Sequence, residues 1–136
     1  MPNILIAAHG DLSTALTRTA ALIVGATDHV RCFEMTADLH HTDAEQQLTA
    51  LVDAGRAAEE RLLVLVDIQG GSPFNICSRL LLEHGDFDLV TGVNLPMLLE
   101  ALTALDPPSG ASLAAAGSAA ITDISTLIHA SEDNDD

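Results

Sequence analysis

The chain has 136 residues, of which 48% are hydrophobic, enough for one domain with one core and too many for a disordered protein. Twenty acidic residues stand against five arginines and no lysine, which gives a formal net charge of −15. This charge argues against a protein that binds nucleic acid or anionic membranes, because those partners require clustered Lys and Arg. A partner with a basic surface would be attracted instead.

Targeting and redox signals point to the cytoplasm. The two cysteines, Cys32 and Cys77, lack the spacing of a zinc site and are too few for a disulfide framework. No apolar stretch reaches the ~18 residues that a membrane-spanning helix needs, and no basic segment precedes the first apolar run. We therefore expect a cytoplasmic protein without membrane insertion.

The first half of the chain alternates strands with helices. An apolar run at 3–8 predicts a buried strand that ends at His9. Apolar residues then recur at helical spacing over 11–24. Residues 30–35 predict a second strand, and the T-x-x-E sequence at 42–45 predicts a capping box that opens a helix to about residue 54.

The second half repeats the alternation. The apolar run at 61–67 is the clearest strand in the sequence, and the glycine pair after it leads into a helix over 72–84. That helix is predicted to have Ser72 as its N-cap and Pro73 at its first position. The remaining elements are predicted as a strand at 87–93, a helix at 96–105 and an alanine-rich helix at 111–129.

This order predicts an α/β fold, a doubly wound open sheet of four parallel strands in the order 2-1-3-4 with helices on both faces. Residues 1–130 should form a single domain, and 131–136 an acidic, disordered tail. Ligands of such sheets bind beyond the carboxyl ends of the strands, where the winding direction switches. His9 and Asp67 end the two strands that flank this point, so they should face each other across one crevice.

These residues suit phosphoryl chemistry. Imidazole is a competent nucleophile near neutral pH, and it works best when a carboxylate fixes one ring nitrogen and leaves the other free. Asp67 is the candidate to orient His9 in this way. The helix that starts at Ser72 offers unpaired backbone N–H groups to an anion, and Gly70 and Gly71 let the backbone approach closely.

Each feature alone also has a structural explanation. A histidine at a strand end is usually a turn residue, and a glycine pair is more often a turn than an anion site. The neighbouring His40 and His41 resemble a metal pair, but no third ligand has suitable spacing, so no metal is expected. The case for His9 and Asp67 rests on their joint position beside a helix start.

Three segments carry a family resemblance. In order along about residues 3–105, "ILIAAHGDLSTAL", "LVLVDIQGGSPFN" and "VTGVNLPMLLEAL" resemble the enzyme IIA domain of the mannose/fructose/sorbose family of the bacterial sugar phosphotransferase system (PTS). The resemblance implies that His9 is the phosphorylated residue and Asp67 its orienting carboxylate. It implies a phosphoryl-binding loop at Gly71 and Ser72, next to Gly70, and more of the rim at Asn94, Pro96 and Met97. The apolar side chains of Ile68, Phe74 and Met97 around the site would suit transient docking of a partner.

The same resemblance implies a function. The chain would accept a phosphoryl group from phospho-HPr on His9 and pass it to enzyme IIB, which serves the membrane components IIC and IID. No cofactor is implied, and a homodimer through the C-terminal helical segment is expected. Many family members carry IIB after a linker, and since this sequence does not, a separate IIB is expected. Which sugar the system carries stays open.

Two other classes of protein share parts of this pattern. A two-component receiver domain would be phosphorylated on Asp67, but receivers need an acidic pair after the first strand and a lysine after the fifth. This chain has His9 and Gly10 in the first place and no lysine. A regulatory module that senses phosphorylation state would need the same histidine as a carrier, so this alternative remains open.

Overall fold

The computed structural model describes residues 1–134, which form four strands and six helices. The strands are β1 (Ile4–His9), β2 (Arg31–Met35), β3 (Leu63–Val66) and β4 (Asp88–Val90). The helices are α1 (Leu12–Val24), α2 (His41–Arg56), α3 (Ser72–His84), α4 (Leu95–Thr103), α5 (Gly110–Ala119) and α6 (Ile124–Asn134). Strands and helices alternate up to α4, as the apolar periodicity predicts.

The four strands form one parallel sheet in the order β2-β1-β3-β4, which confirms the predicted topology. In the register of the sheet, Ala7 of β1 pairs with Phe33 of β2 and with Val66 of β3. The four residues of β3 and the first five of β1 are buried, because helices cover both faces of the sheet. The carboxyl ends of the neighbouring strands β1 and β3 therefore lie side by side at the same end of the sheet.

Two layers of helices hold the sheet between them. Helices α2 and α3 pack on one face through a cluster that includes Leu48, Ile76 and Leu80. Helices α1, α4 and α5 cover the other face, where Leu98 and Leu113 are fully buried. Each such side chain contributes about 1.5–3 kcal/mol through its removal from water, so the two layers fix the sheet edge that carries the site.

The helix starts differ from the prediction at two places. Helix α2 begins at His41 with His40 as N-cap and no side-chain cap, so the predicted capping box at 42–45 is wrong. Helix α3 has Gly71 as its N-cap, and Ser72 is already helical. The reason is the extended backbone of Gly71, with φ −84° and ψ 172°, which places the bend one residue earlier than Ser72.

The C-terminal region also differs, because the predicted single helix over 111–129 is two helices. Helix α5 starts with a capping box between Ser109 and Ser112 and ends at Ala119. Asp123 then caps the start of α6, because its Oδ1 accepts from the backbone N–H of Thr126 at 3.4 Å. Its Oδ2 also accepts from the Thr126 hydroxyl at 2.5 Å. Helix α6 extends over the first four residues of the predicted tail, 131–136, while residues 135–136 lie outside the described part of the chain.

Helix α6 carries apolar side chains that the other residues of 1–134 do not cover. Ile124, Leu127 and Ile128 are each more than half exposed, as is Ile121 just before the helix.

Over residues 1–134, no single helix has both the length and the apolar composition to cross a membrane. Helices α5 and α6 together meet those two criteria, but the pair is bent by 56°.

Candidate functional site

The site lies at the carboxyl edge of the sheet, between the ends of β1 and β3. His9 is the last residue of β1, and Asp67 directly follows β3. Because the two strands are hydrogen-bonded neighbours, the structure brings these side chains together as the sequence predicts. Nδ1 of His9 lies 2.8 Å from Oδ2 of Asp67.

The carboxylate of Asp67 fixes both the ring and the backbone of His9. Its Oδ2 accepts from the His9 ring and also from the backbone N–H of His9 at 2.9 Å. Its Oδ1 accepts from the backbone N–H of Ile68, also at 2.9 Å. Since an ionised carboxylate can only accept, Nδ1 must carry the ring proton, which leaves the lone pair on Nε2. Both oxygens are engaged and the Asp67 side chain is only 12% exposed, which makes it a poor phosphoacceptor itself.

The ionisation of Asp67 depends on these contacts. Partial burial by itself raises the pKa of Asp67, but the hydrogen bonds from the backbone and ring of His9 and from Ile68 lower it by more. The net pKa lies below the ordinary value of 3.8. Asp67 is therefore ionised at neutral pH and can stabilise positive charge on the imidazole.

The glycine loop lies directly against the imidazole. A Cβ atom added to Gly71 would lie 2.6 Å from Cε1 of His9 and 3.3 Å from Nε2. The preceding Gly70 has φ +91°, a left-handed conformation that favours glycine. The sequence indicated close approach of this backbone to an anion; it gave no sign that Gly71 also shapes the space for the ring.

Two helices begin beside His9 with their first N–H groups free of side-chain caps. The N-caps of α1 and α3 are Asp11 and Gly71, and neither makes a side-chain cap hydrogen bond. Helices α4 and α5 are capped by Asn94 and Ser109, whereas α2 also lacks a side-chain cap. The free N–H groups and the positive ends of the two helix dipoles can hold an anion next to Nε2. The His9 side chain is 46% exposed, so this nitrogen can be reached from solvent.

The predicted rim divides into exposed and buried residues. Ile68 is 56% exposed, Pro96 is exposed, and Phe74 is partly buried against the core under α3. Met97 is only 3% exposed, so its assignment to a docking rim is wrong. Its position on the inner side of α4, against α5, is the physical reason.

Asn94 is the other rim residue that the structure places differently. Its side-chain oxygen accepts from the backbone N–H of Met97, and its side-chain nitrogen donates to the carbonyl oxygen of Gly117. The pattern N-x-P-M could have suggested an N-cap, since Asn is a favoured N-cap and Pro is common in the first turn. The contact with α5 had no signal in the sequence.

Comparisons with known proteins find similar sequences and similar folds. A family model described as "PTS system fructose IIA component" matches residues 3–117. The chain is 34% identical over 104 residues to the fructose-specific PTS EIIA component of Bacillus subtilis, an alignment that covers 76% of this chain and 70% of the relative. It is 33% identical over 103 residues to the mannose-specific PTS EIIAB component of Escherichia coli, again over 76% of this chain.

The chain spans about a third of that mannose-specific relative, with 32% of its length covered. Among solved structures, the PTS IIA protein associated with the fucose utilization operon of Streptococcus pneumoniae superposes with a TM-score of 0.84 at 26% identity. The superposition covers 92% of this chain and 94% of that one. The likeness therefore extends through α5, beyond the motifs that carry the resemblance in sequence.

Proposed function

Because the chain belongs to the EIIA-man family of PTS enzyme IIA components, we propose that it is a phosphocarrier that accepts a phosphoryl group on Nε2 of His9. The donor is phospho-HPr and the acceptor is an enzyme IIB, and both transfers take place in the cytoplasm. Enzyme IIB in turn serves the membrane components IIC and IID, which take up the sugar. The observation that carries this proposal is the bond between Nδ1 of His9 and Asp67 at 2.8 Å, which leaves Nε2 as the free nucleophile.

The transfer conserves the ring proton of His9. The lone pair of Nε2 attacks phosphorus, the bond between phosphorus and the donor imidazole breaks, and the donor nitrogen keeps the electron pair. The positive charge that develops on the His9 ring is stabilised by ionised Asp67, while the phosphoryl oxygens meet the free N–H groups at the start of α3, next to Gly71 and Ser72. The reverse sequence passes the group to enzyme IIB.

The charge around the site favours partners with basic surfaces. None of the five arginines lies in the loops 10–11, 36–40, 67–71 and 91–94 that surround His9. The net charge of −15 attracts a basic partner from a distance. Ile68, Phe74 and Pro96 would supply the apolar contacts of a transient interface.

The direct test is phosphorylation of the isolated chain. Incubation with phosphoenolpyruvate, enzyme I and HPr should give a phosphohistidine that is stable in base and labile in acid, with the phosphoryl group on Nε2 of His9. The His9→Ala variant should stay unlabelled. An acid-stable label, or a label retained in His9→Ala, would contradict the carrier function.

We also propose that the chain forms a homodimer through its C-terminal helices, as the family resemblance implies. Support comes from the exposed apolar side chains of α6, Ile124, Leu127 and Ile128. Light scattering at micromolar concentration should give twice the chain mass, and Ile124→Asp combined with Ile128→Asp should give a monomer. A wild-type monomer under these conditions would remove this proposal and leave the phosphocarrier proposal unaffected.

A further inference from the structure

The loop after β4 is tied to the end of β3, next to the site. The backbone N–H of Val93 donates to the carbonyl oxygen of Val66 at 3.0 Å, and that of Gly92 donates to the carbonyl oxygen of Asp67 at 3.2 Å. Gly92 has φ +74°, which lets the chain turn at this point. The loop thus holds the backbone of the residue whose carboxylate orients His9.

Asn94 attaches the far end of this loop to two helices. Its side-chain oxygen accepts from Met97 N–H at 2.9 Å and caps α4. Its side-chain nitrogen donates to the carbonyl oxygen of Gly117 in α5 at 3.2 Å. A Cβ atom added to Gly117 would lie 2.9 Å from the terminal methyl carbon of Met97 and 3.3 Å from the side-chain oxygen of Asn94, so α5 packs directly on this residue.

We infer that Asn94 is a positioning residue for His9, acting through the 91–94 loop and Asp67, and not a contact for a docking partner. Its side-chain oxygen is bonded to α4 and its side-chain nitrogen to α5, so both ends of the amide are held inside the chain. Loss of the bond to Gly117 frees one end of the loop, and the other end determines where the Asp67 backbone lies. A small displacement there lengthens the bond to the ring, and reactivity falls steeply with such displacements.

The expected loss in the rate of His9 phosphorylation rests on the proposed phosphocarrier function. The expected change in which His9 nitrogen carries the proton does not. The informative variant is Asn94→Ser, because serine is a good N-cap and retains the acceptor for Met97, but its short hydroxyl cannot reach Gly117. Asn94→Ala loses both bonds. The matched control is Ser109→Ala, which removes the cap at the other end of α5, away from the 91–94 loop.

Imidazole nitrogen shifts from NMR of ¹⁵N-labelled protein report which His9 nitrogen carries the proton. In the wild type they should indicate a proton on Nδ1. In Asn94→Ser they should move toward a mixture of the two tautomers, and the initial rate of phosphorylation by phospho-HPr should fall roughly tenfold. Ser109→Ala should lower the melting temperature and leave the shifts and the rate at wild-type values.

Wild-type shifts and rate in Asn94→Ser would overturn the inference, as would equal changes in Ser109→Ala. If Asn94→Ser does not fold, Gly117→Ala provides the second test, since alanine favours the helix while its Cβ presses on Met97 and Asn94. It should shift the His9 tautomer in the same direction, and unchanged His9 shifts would again overturn the inference. If wild-type protein accepts no phosphate, the carrier proposal fails while the NMR comparison still decides the role of Asn94.

Discussion

Asp67→Asn is expected to slow phosphoryl transfer to His9 by at least about a hundredfold while the fold survives. The wild-type carboxylate accepts three hydrogen bonds, two on Oδ2 from His9 and one on Oδ1 from Ile68 N–H. An amide has only one acceptor oxygen, so either orientation places its NH₂ group against a backbone N–H group.

The orientation of the amide decides what happens to the ring. If the NH₂ group faces His9, Nδ1 becomes an acceptor and the proton moves to Nε2, which removes the nucleophilic lone pair. If the oxygen faces His9, the NH₂ group opposes Ile68 N–H and the ring also loses its charged partner. Transfer rates in a quenched-flow assay with phospho-HPr measure the effect in both cases.

Asp88→Asn is the matched control. Asp88 is a partly buried carboxylate at the amino end of β4, at the opposite end of the strands from His9. It accepts from Arg61 and from the backbone N–H of Gly110. The substitution removes the same charge and should leave the transfer rate unchanged. Wild-type rates in Asp67→Asn, or equal losses in both variants, would contradict the orienting role of Asp67.

The stability of the wild-type protein and that of Asp67→Asn should also depend differently on pH. Burial raises the pKa of Asp67, but the hydrogen bonds from His9 and Ile68 hold it below 3.8 overall. The ionised group therefore stabilises the folded state fully above its ordinary pKa, and this contribution is lost as the pH falls through the lowered value. The difference in free energy of unfolding between wild type and Asp67→Asn should narrow on acidification below about pH 4. A difference that widens in acid would contradict the lowered pKa.

Gly71→Ala is expected to reduce phosphoryl transfer by roughly tenfold to a hundredfold with a small change in stability. The backbone of Gly71, with φ −84°, is allowed for alanine. The obstacle is the imidazole, whose Cε1 would lie 2.6 Å from the new Cβ. Because the His9 ring is partly exposed, it can move toward solvent, which breaks its bond to Asp67.

Gly55→Ala controls for steric overlap. Its Cβ would also lie 2.6 Å from a neighbour, in this case Cδ1 of Leu62 in the core. Gly55→Ala should lose stability and keep the wild-type transfer rate. Gly71→Ala should nearly keep its stability and lose transfer rate. Chemical denaturation and the transfer assay on both variants separate the two effects. A Gly71→Ala variant with wild-type transfer would show that the ring does not need this space.

The secondary structure near the site follows from local sequence, with errors at the helix ends. The apolar runs that end at His9 and Asp67 form adjacent buried strands because a strand covered on both faces needs apolar residues throughout. The N-cap of α3 is Gly71 and not the predicted Ser72, since the conformation of Gly71 depends on how the loop meets the His9 ring. The predicted single C-terminal helix is also wrong, because α6 starts anew after Asp123, whose side chain accepts from the backbone N–H of Thr126.

Apolar periodicity and right-handed crossovers are enough to predict the order of elements, the parallel sheet and the end of the sheet at which His9 and Asp67 meet. The free ring nitrogen, the position of Gly71 against the imidazole and the burial of Met97 could be read only from the folded chain. The same is true of the bond between Asn94 and Gly117. The physical reason is range: periodicity reports which side of an element is buried, whereas these features are contacts of single atoms between residues far apart in the chain.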